Sequence, residues 1–95
     1  DLARARELAR EWGIPRVFGS LAEALDTPDA VFDLALPPAA VLATVEALPD
    51  GALALIQKPM GLDLRDATRI RAACRRKRLV AAVNFQLRFS PQMLA

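Results

Sequence analysis

The stretch from residue 52 to residue 61, Ala-Leu-Ala-Leu-Ile-Gln-Lys-Pro-Met-Gly, is an apolar run that ends in a polar pair and a proline. Five consecutive apolar residues bounded by turn formers are typical of a strand buried on both faces, as in a parallel sheet covered by helices. Pro59 has no N–H with which to extend strand pairing, and it biases Lys58 toward an extended backbone. The pattern therefore predicts that Lys58 stands at the carboxyl end of a strand, where open α/β sheets bind their ligands.

The rest of the chain alternates helical and strand patterns around this stretch. Helices are expected at residues 2–12, 21–25 and 64–77, and between the Pro37-Pro38 turn and Pro49. Strands are expected at residues 16–18, 30–36, 52–56 and 79–84. Strands joined by crossover helices of about ten residues indicate a parallel sheet. We therefore expect an α/β fold, the second half of a doubly wound (Rossmann) nucleotide-binding domain over residues 1–89. Residues 90–95 are expected to begin a new helix, with Ser90 as the cap and Pro91 in the first turn.

Local signals mark where the helices begin and end. Asp1 and Asp63 are expected to cap the first and the last of these four helices, and Ser20 with Glu23 reads as a capping box. Gly13 is expected to close the first helix in the left-handed conformation.

Asp33 interrupts the apolar strand predicted for residues 30–36. A carboxylate inside a helix-covered sheet needs a hydrogen-bond partner, because burying it unpaired would be costly. We therefore interpret Asp33 as a hydrogen-bonded structural carboxylate.

Composition limits the kinds of protein that this chain can be. Its 95 residues are 54% hydrophobic, which suits one small folded domain and excludes disorder. No run approaches the ~20 apolar residues of a membrane span, and no export signal is visible. The lone Cys74 cannot form an internal disulfide, which is compatible with a cytoplasmic location. Histidine is absent, so a Ser–His or Cys–His nucleophile is impossible within this chain, and no metal site is expected.

Four consecutive cations, residues 75–78, have two interpretations. They can close a helix, where positive charge complements the negative end of the helix dipole. Alternatively they form a basic module for nucleic acid, which would require groove-reading or aromatic partners nearby. We favour the first interpretation and expect no nucleic-acid partner.

Two motifs resemble those of the Gfo/Idh/MocA oxidoreductases, the glucose–fructose oxidoreductase and inositol dehydrogenase family. Gln57-Lys58-Pro59 is similar to the family's Glu-Lys-Pro signature. Residues 83–91, Val-Asn-Phe-Gln-Leu-Arg-Phe-Ser-Pro, look like its Arg-Phe-x-Pro segment after the last Rossmann strand. The resemblance implies a nicotinamide-dependent enzyme, using NAD or NADP, that transfers hydride to or from a sugar or polyol. It also implies homo-oligomers formed through a substrate domain.

The resemblance also implies roles for particular residues. The family's motif lysine lies between the nicotinamide and the reacting hydroxyl, and by matching position this catalytic residue is Lys58. Arg88 could bind cofactor or substrate, or it could equally form an ion pair between domains. The positions that the resemblance assigns to cofactor binding are Leu36, Pro37, Pro38, Gln57, Lys58, Gln86 and Arg88.

The chain departs from the family pattern in ways that leave a second function open. Leu36-Pro37-Pro38 stands where the family has Thr-Pro-Asn, and Val41 stands where many members have His, so only backbone and van der Waals contacts carry over. None of the four glycines are spaced as G-x-G-x-x-G, so the resemblance implies that this turn and the ribose-binding acid precede Asp1. The substrate domain would follow Ala95. The alternative is a non-catalytic regulator or sensor that kept the nucleotide fold.

Gln57 replaces the family's Glu, which removes an anion beside the lysine. Because a nearby anion favours the charged lysine, its absence should make the neutral amine easier to reach. We predict that the pH–rate profile of the full-length protein lies at lower pH than that of its Gln57→Glu variant. Coincident profiles, or a shift in the opposite direction, would refute this.

Overall fold

The structure is a computed structural model that describes residues 1–94. Its elements are α1 (Leu2–Trp12), α2 (Leu21–Leu25), β1 (Val31–Leu34), α3 (Pro38–Ala47), β2 (Leu53–Gln57), α4 (Leu64–Arg76), β3 (Val80–Asn84) and α5 (Pro91–Leu94). The strands form one parallel sheet in the order β1-β2-β3, which confirms the predicted α/β class. Ala95, the last residue of the helix predicted from residue 90, lies outside the described residues. Within residues 1–94, every helix is too short or too polar to cross a membrane.

Side-chain caps begin three of the helices where the sequence predicted, although only half of the predicted capping box forms, because Glu23 Oε2 accepts from the N–H of Gly19 at 2.7 Å and not from that of Ser20. The side chains of Asp1, Ser20 and Asp63 each accept a hydrogen bond from the backbone N–H three residues later, at 3.2, 3.2 and 2.8 Å. These bonds satisfy N–H groups that have no partner inside the helix. Gly13 closes α1 with φ +64°, the left-handed cap that its position predicted.

The core lies between one face of the sheet and the pair α3 and α4. Val45 of α3, Ile56 of β2 and Ile70 of α4 are each at most 1% exposed. Close packing of this kind makes each buried methyl group contribute to stability. The buried core residues are Leu34, Val41, Val45, Leu48, Ala54, Ile56, Ile70, Ala73 and Cys74.

The opposite face of the sheet is open in the described residues. Val31, Leu53 and Val80 occupy one paired row on that face and are 65%, 43% and 66% exposed. The prediction that β2 is buried on both faces is therefore wrong for residues 1–94. The physical reason is that α3 and α4 both pack on the same side, against the face that contains Leu34, Ala54 and Ile56.

The first predicted strand is absent, and the second is shorter than expected. Residues 16–18 pair with no strand among residues 1–94. An extended segment becomes a strand only when another strand satisfies its N–H and C=O groups. The strand predicted for residues 30–36 is Val31–Leu34, and its pairing with β2 ends at Leu34 and Ile56.

The cations at the end of α4 form ion pairs with acidic residues in α3 and in the turn that follows it. Lys77 Nζ lies 3.2 Å from Asp50 Oδ1, and Arg76 lies 3.3 Å from Glu46. Arg78 adopts φ +55° directly after the helix. This arrangement agrees with the interpretation of the cluster as the closing turn of a helix.

Burial of Cys74 generates a prediction about its reactivity. The residue is 9% exposed, and burial raises the pKa of its thiol because the thiolate would lose water. Since the thiolate is the reacting form, alkylation by iodoacetamide at neutral pH should be slow in the native protein and rapid in urea. Mass spectrometry of the peptide that contains Cys74 would measure both rates. Native alkylation as fast as that of an unstructured cysteine peptide would contradict the prediction.

Candidate functional site

Lys58 lies at the edge of the sheet where all three parallel strands end. β2 finishes at Gln57, which is paired with Asn84 at the end of β3, and Lys58 follows directly. The side chain is exposed, and the Lys58–Pro59 peptide is cis. Lys58 forms no ion pair with any residue of the range 1–94. The lysine therefore stands where the sequence placed it, with its ammonium group available to a ligand.

An open cleft of about 510 Å³ adjoins Lys58 at this edge. It brings together Lys58, Gln86 and Arg88, three of the site residues predicted from the sequence. Apolar side chains from the segment after β3 form much of its wall. Two cations and one amide line it, without a carboxylate. Such a combination of apolar wall and a few convergent polar groups is typical of small-molecule sites. The lining residues are Lys58, Phe85, Gln86, Leu87, Arg88 and Met93.

Arg88 is held by an aromatic contact and a turn. Its guanidinium carbon lies 5.0 Å from the centre of the Phe89 ring, a cation–π distance. Its backbone N–H donates to the carbonyl of Phe85 at 2.9 Å. Within residues 1–94, Arg88 forms no ion pair with a carboxylate. The ion pair between domains, one of its two interpretations, is therefore not formed inside this part of the chain.

The Leu36-Pro37-Pro38 turn reaches the same edge of the sheet but does not line the cleft. Pro37 is the N-cap of α3 and Pro38 its first residue, so this turn serves to begin the helix. Val41 is 1% exposed and belongs to the core, which explains an apolar residue at that position. The turn and the cleft remain separate parts of the edge in this structure.

Gln57 occupies the centre of a hydrogen-bonded row that crosses all three strands. Its Nε2 donates to Asp33 Oδ1 at 2.8 Å, and its Oε1 accepts from Asn84 Nδ2 at 2.9 Å. We call Asp33, Gln57 and Asn84 the polar row. The expectation that Asp33 has a hydrogen-bond partner is confirmed, although Asp33 lies on the open face of the sheet and is exposed. Both ends of the Gln57 amide are engaged by protein, which distinguishes it from Lys58.

Sequence reasoning did not find the polar row as a unit. The family resemblance predicts Gln57 as a cofactor contact, and the sequence predicts Asn84 only as the last residue of a strand. The available signal was that three polar residues stand near the ends of three successive apolar runs. The strand register that joins them, Gln57 opposite Asn84 and Asp33 opposite Leu55, is a tertiary property that cannot be read from one sequence.

Comparison with known proteins places this architecture among oxidoreductase structures. The chain is 34% identical over 88 residues to the Salmonella typhimurium protein named "Putative oxidoreductase YceM", an alignment that covers 93% of this chain and 28% of that protein. An NAD binding oxidoreductase from Klebsiella pneumoniae superposes with a TM-score of 0.80 at 23% identity, over 99% of this chain and 26% of that one. For the putative oxidoreductase yvaA from Bacillus subtilis the TM-score is 0.77 at 19% identity, over 96% and 27%.

These likenesses establish the fold. The identity to the two solved structures is below a quarter, a level at which shared architecture alone follows. The chain spans about a quarter of the length of each of these proteins. No protein-family model matches the chain.

Within residues 1–94, no group of three His, Cys, Asp or Glu side chains is placed to hold a metal ion.

The turn after Lys58 depends on Gly61. This residue is buried with φ +89°, and a Cβ there would lie 2.7 Å from Asp66 Oδ2 and 3.0 Å from Ile70 Cδ1. Asp66 Oδ2 accepts a hydrogen bond from the N–H of Leu62 at 3.0 Å, so moving it away from a Cβ would break that bond. The Lys-Pro-Met-Gly turn can therefore close onto α4 only with glycine at this position.

Gly51 provides a matched control for a test of this turn. It also has positive φ, +78°, but a Cβ there would meet no atom within 4 Å. Gly51→Ala should therefore cost about 1–2 kcal/mol, the penalty of the left-handed conformation alone. Gly61→Ala should cost about 1–3 kcal/mol more, because its Cβ overpacks the turn. Urea unfolding of both variants measures the difference, and equal losses would contradict the predicted crowding at Gly61.

Proposed function

We propose that this chain is part of a nicotinamide-dependent oxidoreductase of the Gfo/Idh/MocA type that transfers hydride to or from a sugar or polyol. One observation carries the proposal: Lys58 lies at the carboxyl edge of a parallel sheet, lines a cleft and forms no ion pair within residues 1–94. That edge is where α/β sheets bind ligands. The similarity of the chain to proteins named as oxidoreductases supports the same reaction class.

Lys58 would act on the oxygen of the reacting alcohol. When hydride leaves an alcohol carbon, the hydroxyl proton must be removed as the carbonyl forms, and in the reverse direction the oxygen must regain a proton. A neutral lysine amine can accept that proton, and an ammonium can return it or stabilise negative charge on the oxygen. Bound NAD or NADP would supply the hydride acceptor or donor.

The remaining lining residues have the chemistry to orient these groups. Gln86 offers an amide that can both donate and accept hydrogen bonds to hydroxyl or carboxamide groups. Arg88 offers a planar cation suited to phosphate or carboxylate oxygens. The apolar side chains of Phe85, Leu87 and Met93 can pack against a flat ring and exclude water. We assign the cofactor-side contacts to Gln86 and Arg88, with the backbone of residues 36–38 at the same edge.

Replacing Lys58 in the full-length protein tests the proposal. Lys58→Met should lower kcat/KM for polyol oxidation by about 10²–10⁴, the usual contribution of a positioned acid or base. Binding of NAD or NADP, followed by calorimetry, should persist because the rest of the cleft is intact. Lys77→Met is the matched control, since Lys77 pairs with Asp50 at the far end of α4.

Two outcomes would oppose the proposal. Equal activity of the Lys58→Met and Lys77→Met variants would remove Lys58 from the reaction. Cofactor binding without hydride transfer over a broad panel of sugars and polyols would favour the alternative, a regulator or sensor that kept the nucleotide fold.

A further inference from the structure

We propose that the polar row acts as one unit that positions Lys58, with Asp33 as its only charged member and Gln57 as the link between the strands. The part of this inference that concerns Lys58 rests on the proposed function. The pairing of Asp33 with Gln57 does not, and it is tested separately below.

The direction of the hydrogen bonds is set at Asp33. An ionised carboxylate can only accept, so Asp33 requires the NH₂ end of the Gln57 amide to face it, at 2.8 Å. This orientation turns Gln57 Oε1 toward Asn84, whose NH₂ group donates to it at 2.9 Å. One negative charge on β1 therefore determines the orientation of two amides on β2 and β3.

Among residues 1–94, these two bonds are the only side-chain hydrogen bonds that the polar row makes. The other strand residues on the open face are apolar, and within residues 1–94 no cation lies within ion-pair distance of Asp33. These apolar neighbours are Val31, Leu53, Leu55, Val80 and Ala82. Lys58 is the nearest charged residue along β2, directly after Gln57.

The row fixes the end of the strand that carries Lys58. Gln57 is the last residue of β2, and its side chain is tied on one side to β1 and on the other to β3. The peptide that leads to Lys58 therefore starts from a residue held from both directions. Asp33, Gln57 and Asn84 are positioning residues in this arrangement, and Lys58 is the group that reaches a ligand.

The chemistry predicts that Asp33 and Gln57 can exchange roles but cannot both be acids. Gln57→Glu would set a second carboxylate within hydrogen-bond distance of Asp33, and two such groups share one proton instead of ionising fully. In the double variant Asp33→Asn/Gln57→Glu, the amides of residues 33 and 84 could both donate to the new carboxylate. Every hydrogen bond of the row would then be restored with the charge moved to β2.

The first experiment measures unfolding by urea against pH in the full-length protein. For Gln57→Glu the shared proton raises the folded-state pKa above the unfolded value of about 4.3. Its stability should therefore approach that of the parent at acid pH and fall as pH rises through the folded-state pKa. The double variant should regain the parent's midpoint at pH 8. The pairing would be overturned if the double variant lost as much stability as the two single variants together. It would also be overturned if the stability loss of Gln57→Glu were the same at every pH.

The second experiment asks whether the row acts on Lys58. Asp33→Asn should lower kcat more than it changes KM, because the row positions Lys58 for the reaction and does not itself contact the ligand. Asp29→Asn, which removes an exposed carboxylate elsewhere, is the control and should leave both constants in place. An Asp33→Asn variant with the parent's kcat would overturn the positioning role. If no variant and no parent protein transferred hydride, the proposed function would fail while the urea data still decided the pairing.

Discussion

Parallel pairing of three strands is the constraint on which the rest of this structure depends. Parallel neighbours must be joined by crossovers, and here α3 and α4 make both crossovers on one face, where Val45 and Ile70 bury against Ile56. Because the strands run the same way, their carboxyl ends meet at one edge. This is why one edge of the sheet carries Lys58, the turn after β1 and the segment after β3.

The two faces of the sheet illustrate how burial decides where polar groups can stand. On the covered face the residues that meet the helices are apolar. Thr44 of α3 is the one buried polar side chain among residues 1–94, and its hydroxyl donates to the carbonyl of Ala40 at 3.0 Å. The open face carries the polar row, whose members bond to one another. Gln57 and Asn84 are partly buried, and pairing across the strands supplies hydrogen-bond partners for their amides.

Local signals were sufficient for much of the fold. Asp1, Ser20 and Asp63 cap helices because a cap needs only a side-chain oxygen and the next few residues. The place of Lys58 followed from an apolar run and a proline in the same way. What could not be predicted depends on distant partners: residues 16–18 require a neighbouring strand, and the link from Asp33 to Gln57 requires a register across 24 positions. The buried, positive-φ Gly61 depends likewise on Asp66 and Ile70 of α4.

Adjacent residues at the end of β2 have different relations to their surroundings, and this difference argues for Lys58 as the reactive group. Gln57 still belongs to the strand, so its side chain follows the alternation of the pleat and meets Asp33 and Asn84. Lys58 lies one residue beyond, where pairing has ended, and it lines the cleft. An amide whose N–H and C=O groups are both hydrogen-bonded suits a structural link, since Gln57 can be replaced by an acid only if Asp33 is replaced as well. An ammonium without an ion pair among residues 1–94 retains its full capacity to donate to a ligand.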